Sequence, residues 1–187
     1  MNIVLFGPPG AGKGTQAKYL VNKLNSFQVS TGELLREEIY KNSDIGKMIT
    51  NDMKNGKFVS DEIVNKLIEN FVSDPQKKNK FIFDGYPRSL SQAKNFDILL
   101  DKSNQKIDFI FFLNVNKNTI ISRIEKRKTL EKRSDDELAT ILRRYDTYME
   151  TTRPVLDYYS KNSNFNQIDG SLKIDEITSK IDAFLNV

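Results

Sequence analysis

Ile3-Val4-Leu5-Phe6 runs without a break into Gly7-Pro8-Pro9-Gly10-Ala11-Gly12-Lys13-Gly14-Thr15. Four apolar residues in a row read as a strand buried on both faces, as in a parallel sheet. A glycine, four residues and then Gly-Lys is the spacing of a phosphate-binding loop set between such a strand and a helix. The glycines let successive backbone N–H groups converge on phosphate oxygens, and the helix N-terminus adds its partial positive charge. Lys13 extends to the outer phosphates. A plain Gly-rich turn would require neither four glycines nor a lysine at this spacing.

Outward from the loop, short apolar runs alternate with longer amphipathic ones. Phe27-Gln28-Val29, Phe81-Ile82-Phe83 and Phe109-Ile110-Phe111-Phe112-Leu113 are further strands, and Phe165-Asn166-Gln167-Ile168 is a weaker fifth. Helical periodicity falls over residues 15–24, 61–72, 116–127 and 134–159. Ser134 with Glu137 forms a capping-box pattern for the last of these, and Pro154 should interrupt it near Arg153. Alternating strands and helices predict an α/β fold with a five-stranded parallel sheet flanked by helices, whose ligands bind beyond the strands' carboxyl ends. Residues 31–72 break the alternation with three successive helical segments. The first two carry few large apolar residues, so this stretch is expected to be a small lobe of low local stability.

Composition narrows the chemistry. The 187 residues contain no cysteine and no histidine. Disulfides, thiolate metal sites and histidine bases are excluded, and no zinc is expected. No apolar run reaches the ~18 residues of a membrane span. The opening residues carry no basic n-region, so no signal peptide is expected. The net charge of +4 suits an acidic partner, but the 21 lysines are scattered and form no nucleic-acid-binding tail. Six of the eight arginines lie between Arg123 and Arg153, a bias that suggests forked phosphate recognition.

The third strand ends in Asp84-Gly85-Tyr86-Pro87-Arg88. Asp84 would stand at the carboxyl edge of the sheet, where a carboxylate can organise magnesium-bound water, and the turn would present Arg88 to the same edge. The Ser or Thr that usually follows the loop lysine and ligates the metal is Gly14 here, with the hydroxyl one residue later at Thr15. Mg²⁺ is therefore expected to be held by nucleotide phosphates and water, with Asp84 behind them. A GTPase is disfavoured, because Asn116-Lys117-Asn118-Thr119 has threonine where the guanine-reading aspartate belongs.

Taken together, residues 7–15, Ser30-Thr31-Gly32-Glu33-Leu34-Leu35-Arg36, Asp84-Gly85-Tyr86-Pro87-Arg88, Arg133-Ser134-Asp135-Asp136 and Asp169-Gly170-Ser171 resemble the adenylate kinase family, in order and along essentially the whole chain. The resemblance implies the P-loop NTPase fold, and transfer of the terminal phosphoryl group of Mg-ATP to AMP, giving two ADP. It implies a core of residues 1–29, 60–126 and 134–187, an AMP-binding helical lobe of residues 30–59 and a short lid loop of residues 127–133. Only five residues separate Arg127 from Arg133, so the β-rich lid insertion of long-lid relatives has no room.

Carried onto this chain, Gly10, Ala11, Gly12, Lys13, Gly14 and Thr15 would wrap the ATP phosphates. Arg123 and Arg127 would clamp them, and the Leu172 backbone would touch the ATP adenine. Thr31, Arg36, Lys57, Phe58, Val59, Gly85, Tyr86, Pro87, Arg88 and Gln92 would hold AMP. Arg133 and Arg144 would reach across the gap, so that Lys13, Arg88, Arg127, Arg133 and Arg144 surround the transferred group. Gln92 has two readings: it could read the adenine edge, or serve in a capping box with Ser89. The resemblance also implies a cytoplasmic monomer with no nucleic-acid or membrane partner. A UMP/CMP kinase of the same architecture is the alternative, with a regulatory ATPase and a nucleic-acid-binding module further off.

Overall fold

A computed structural model describes the backbone of residues 1–131 and 138–186, and the side chains of residues 1–125 and 139–186. Five parallel strands, β1 (Ile3–Phe6), β2 (Phe27–Ser30), β3 (Phe81–Asp84), β4 (Phe109–Asn114) and β5 (Phe165–Asp169), form one sheet in the order β2-β3-β1-β4-β5. All five expected strands are present, each extending by one residue or matching its expected range. Strand side chains alternate between the two faces, which explains why β1 must be apolar throughout. Val4 and Phe6 enter one core with Phe81, Phe83, Phe96 and Ile110, while Ile3 and Leu5 enter the other with Ile82, Phe111, Leu113 and Ile177. In the first core Phe96 meets both Phe83 and Tyr86 edge-on, with centroids 4.7 and 5.1 Å apart. Each such pair adds about 0.5–1.5 kcal/mol to the burial itself.

The helices that begin at Thr31, Asp44, Leu90 and Lys117 start where the sequence supplies caps. Helix α1 (Lys13–Leu24) begins directly after Gly12, whose φ of 97° is left-handed. Ser30 and Ser43 cap α2 (Thr31–Tyr40) and α3 (Asp44–Lys54), their hydroxyls accepting from Glu33 N and Gly46 N. Helix α4 (Asp61–Val72) matches its expected range, and α5 (Leu90–Lys102) is capped by Ser89. Helix α6 (Lys117–Glu131) is preceded by Asn116, whose Oδ1 accepts from Thr119 N at 2.9 Å. The guanine-reader lookalike is thus a helix cap. Helix α6 also continues to Glu131, through residues expected to begin the lid loop. Helix α9 (Ile174–Leu185) closes the chain.

The long helix expected over 134–159 is a composite. Helix α7 (Leu138–Thr147) passes into a π-helical turn, Tyr148–Thr152, before α8 (Arg153–Tyr159). The interruption thus falls in the turn before Pro154, and the proline takes its place in the first turn of α8, where its missing N–H costs nothing. The Ser134–Glu137 capping pattern lies outside the described residues. The helical stretch of residues 31–72 is three helices, as expected. It docks on α7 through a turn in which Arg143 Nη1 donates to Asn55 O at 3.4 Å. Among the described residues no helix is long and apolar enough to cross a membrane.

Candidate active site

β1 is the central strand, and β1 and β4 are the neighbours from which the chain departs in opposite directions, to β2 on one side and β5 on the other. Such a switch point leaves a crevice at the strands' carboxyl ends. The loop after β1 lies there. A Cβ on Gly7 would stand 2.9 Å from Leu113 O of β4, and one on Gly10, where φ is +80°, would stand 2.8 Å from Ile124 of α6. Only glycine lets the loop pass this close to its neighbours. Lys13 Nζ donates to Gly7 O at 2.7 Å and to Pro8 O at 3.1 Å, so the ammonium is held over the loop.

Arg123 acts on backbone. Its Nη1 donates to Gly170 O at 2.7 Å and Ala11 O at 3.4 Å, and its Nη2 to Ser171 O and Leu172 O at 3.4 and 3.3 Å. One guanidinium thus ties the turn after β5 to the phosphate loop. This juxtaposes Leu172 and the residue 10–15 loop, two parts that sequence placed on the same ligand.

Asp84, at the end of β3, accepts from Gln28 Nε2 at 3.4 Å, and its Oδ2 lies 3.5 Å from where a Gly14 Cβ would be. The glycine after Lys13 therefore brings the loop against a carboxylate. The next residue, Gly85, has φ +78°, and a Cβ there would strike Arg88 Nη2 at 2.8 Å. Arg88 folds back over this turn: Nε donates to Gly85 O at 2.6 Å and Nη2 to Thr31 Oγ1 at 3.2 Å, while Thr31 Oγ1 donates to Gly85 O at 2.7 Å. The Phe58 ring covers the guanidinium at 5.1 Å. Burial, with Arg144 and Arg36 nearby and Asp84 opposing them, brings the Arg88 pKa down to about 10. The group stays charged at neutral pH, in a cluster of cations that an anion would relieve.

Two cavities meet at this arginine. The first is lined by Thr31, Arg36, Lys57, Phe58, Val59, Arg88, Gln92 and Arg144, with Gly32, Leu35, Met53, Gly56 and Val64. The second is lined by Gly7, Pro9, Lys13, Gly85, Pro87, Tyr148 and Thr152 with Leu5 and Phe6, and again by Phe58, Arg88 and Arg144. Phe58, Arg88 and Arg144 form the shared wall between the helical lobe and the phosphate loop.

Most residues expected around AMP therefore converge. Tyr86 does not: it is fully buried in the core, its hydroxyl donating to Asn65 Oδ1 at 2.8 Å. Apolar burial of the ring wins over exposure at the turn. The side chain of Arg127 and the whole of Arg133 lie outside the described residues. Gln92 lines the lobe cavity but does not complete the capping box. Ser89 does cap α5, with Oγ accepting from Gln92 N at 3.1 Å, but the Gln92 side chain accepts from Arg88 N rather than Ser89 N and donates to Asp61. Asp61, Gly56 and Thr152, whose hydroxyl donates to Arg88 O at 3.0 Å, escaped the sequence reading. Asp61 and Thr152 look like ordinary helix residues in one dimension; Gly56, in Asn-Gly, carried a turn signal that could have marked it.

Comparison with known proteins agrees with this geometry. The sequence profile of the family described as adenylate kinase matches residues 5–164. A protein named adenylate kinase from Pelagibacter ubique is 47% identical over 213 aligned positions, covering 100% of both chains. One from Mycoplasma capricolum is 42% identical over 215 positions, covering 93% of this chain and 100% of its own, and one from Caulobacter is 39% identical over 187 positions, covering 100% and 99%. A loop, an arginine turn and a helical lobe that meet at one wall, in a chain matched along its length to these relatives, leave one assignment: the chain belongs to the adenylate kinase family.

Proposed function

We propose that this chain transfers the terminal phosphoryl group of Mg-ATP to AMP across the wall formed by Phe58, Arg88 and Arg144. The observation that carries the reading is that Arg88 lines both cavities. ATP phosphates would lie on the residue 10–15 loop, with AMP in the cavity of the helical lobe and its phosphate at Arg88 and Arg36. Phosphoryl transfer asks mainly for positioning and charge stabilisation. Lys13, Arg88 and Arg144 would supply the charge, joined by Arg127 and Arg133. The acceptor is already an anion, so no general base is needed, which suits a chain without histidine.

The donor set fits magnesium: Asp84 is a hard oxygen ligand beside the loop, and it would hold the ion through water. When bound with ATP, Mg²⁺ neutralises phosphate charge. Water is the competing acceptor, so residues 30–59 and 127–133 are proposed to close as lobe and lid when both nucleotides are present. Family membership supports taking the chain as a cytoplasmic monomer. The test measures ADP formed from ATP with AMP, with UMP, with CMP and with no acceptor, each with Mg²⁺ and with chelator. Rapid ADP formation only with AMP and Mg²⁺ is expected. Equal rates with UMP or CMP would overturn the acceptor, and equal rates without acceptor would make the chain an ATPase.

A further inference from the structure

The side-chain amide of Gln92 is held from two sides, by Arg88 four residues before it and by Asp61 from a distant helix. Gln92 is 2% exposed and lines the lobe cavity. Its Nε2 donates to Asp61 Oδ1 at 2.7 Å, and its Oε1 accepts from Arg88 N at 2.7 Å. A carboxylate only accepts, and a backbone N–H only donates. The amide consequently has one orientation, because turning it over would set oxygen against carboxylate and NH₂ against N–H. Asp61 is itself anchored, its Oδ2 accepting from Ser89 Oγ at 2.7 Å. An amide has two N–H donors and two lone pairs. One of each is left for a ligand, in a fixed spatial order.

We propose that Asp61 is a specificity-determining positioning residue, which locks the Gln92 amide so that 6-aminopurine monophosphates are accepted and 6-oxopurine monophosphates are refused. This rests on the reading of the lobe cavity as the AMP site with Gln92 facing the base. Adenine presents an amino donor beside a ring-nitrogen acceptor. Hypoxanthine presents an oxygen acceptor beside a ring N–H donor, the reverse order. A freely turning amide would suit either edge equally. The locked one opposes donor to donor and acceptor to acceptor when the base is hypoxanthine, leaving buried polar groups unpaired. Cytosine keeps adenine's order, so the lock leaves the choice between AMP and CMP to the shape of the cavity.

The experiment gives wild type and variants Mg-ATP with AMP or IMP, and follows ADP and IDP directly by chromatography. In the IMP reaction the terminal phosphoryl of ATP moves to the IMP phosphate, giving ADP and IDP. In Asp61→Asn the side chain can offer Gln92 either an oxygen or an NH₂, so hydrogen bonding survives in both amide orientations. Only Arg88 N then favours one of them. The AMP-over-IMP ratio in kcat/KM is expected to fall about 10-fold, through KM for the monophosphate, with KM for ATP unmoved. Asp61→Ala should shift the ratio in the same direction and serves if the asparagine variant fails to fold. In a Gln92→Ala background, which should itself erode the ratio, adding Asp61→Asn should change nothing further. A wild-type ratio in both Asp61 variants, with Gln92→Ala altered, overturns the lock alone. An unaltered ratio in Gln92→Ala overturns the base-facing reading and the lock with it.

Discussion

Around the phosphate loop cationic side chains bind backbone carbonyls, whereas around Arg88 bonds to backbone are joined by contacts of side chains with one another. Carbonyls of Gly7 and Pro8 hold Lys13, and carbonyls of Ala11, Gly170, Ser171 and Leu172 hold Arg123. On the acceptor side, Thr31, Phe58, Asp61, Arg88 and Gln92 hold one another through hydroxyl, ring, carboxylate, guanidinium and amide. A site built from backbone depends on glycines and a few cations and is indifferent to most other side chains. A site built from interlocked side chains is sensitive even to conservative exchanges, since Thr31, Asp61, Arg88 and Gln92 each satisfy two neighbours.

The largest effect should come from the one ammonium of the loop. Lys13→Ala removes a charge aimed at the developing transition-state charge and leaves the glycine geometry in place. A loss of ~10²-fold or more in kcat is expected. The melting temperature should stay within a few degrees of wild type, because the lysine packs in a polar loop. Steady-state assay and thermal melt check both. Near-normal turnover would break the comparison, by showing that the loop is not the donor site.

On the acceptor side a conservative exchange should already be costly. Arg88→Lys keeps the charge but cannot reach Gly85 O, Thr31 Oγ1 and a phosphate together. At least ~10-fold loss in kcat/KM for AMP is expected, which corresponds to only ~1.4 kcal/mol. Wild-type kinetics for this variant would make Arg88 a structural residue and misplace the acceptor phosphate.

The same contrast explains what the sequence could reveal. The donor loop was legible because its chemistry is local: strand, glycines and lysine follow one another, and local spacing dictates how the backbone turns. The sheet was legible for a related reason, since strands buried on both faces must be continuously apolar, as β1 is and as β3 and β4 are up to their last residues, Asp84 and Asn114. The acceptor lock was not legible. Asp61 and Gln92 are 31 residues apart, and in one dimension each reads as a first-turn helix residue, an acid favoured by the helix dipole and a capping-box partner. Only the packing of α4 against α5 brings them to 2.7 Å. The placing of the Tyr86 ring is not legible for the converse reason: its position in the motif suggests the ligand, whereas the ring packs against Phe96 in the core. The π turn at Tyr148–Thr152 has no signature of its own beyond the following proline.

Arg123→Lys tests whether backbone on the donor side needs a fork. An ammonium can hold one or two of the four carbonyls that the guanidinium spans. Losing the others should cost about 1–2 kcal/mol, seen as a melting temperature about 2–8 °C lower. With the 170–172 turn loosened from the loop, KM for ATP should rise by about 3- to 10-fold while KM for AMP stays put. A rise in both would mean that the turn supports the whole cleft rather than the donor side.

The smallest effect expected is at Phe58, where the acceptor side uses a ring instead of a polar group. Its face lies 5.1 Å from the Arg88 guanidinium, and the residue lines both cavities. Phe58→Leu keeps an apolar side chain of similar reach but removes the π face. A cation–π contact at a partly exposed site contributes about 0.5–1 kcal/mol. The loss should therefore appear as about a 2- to 5-fold rise in KM for AMP, because the ring steadies Arg88 before the phosphate arrives. The kcat value should be little changed, since the guanidinium still makes its bonds to Gly85 O and Thr31 Oγ1. Combining Phe58→Leu with Arg88→Lys sharpens the point. If the ring acts through the arginine's planar cation, the double variant should lose less than the product of the two single losses. Independent, multiplicative losses would place Phe58 against the adenine instead, as part of the pocket wall rather than of the interlocked set.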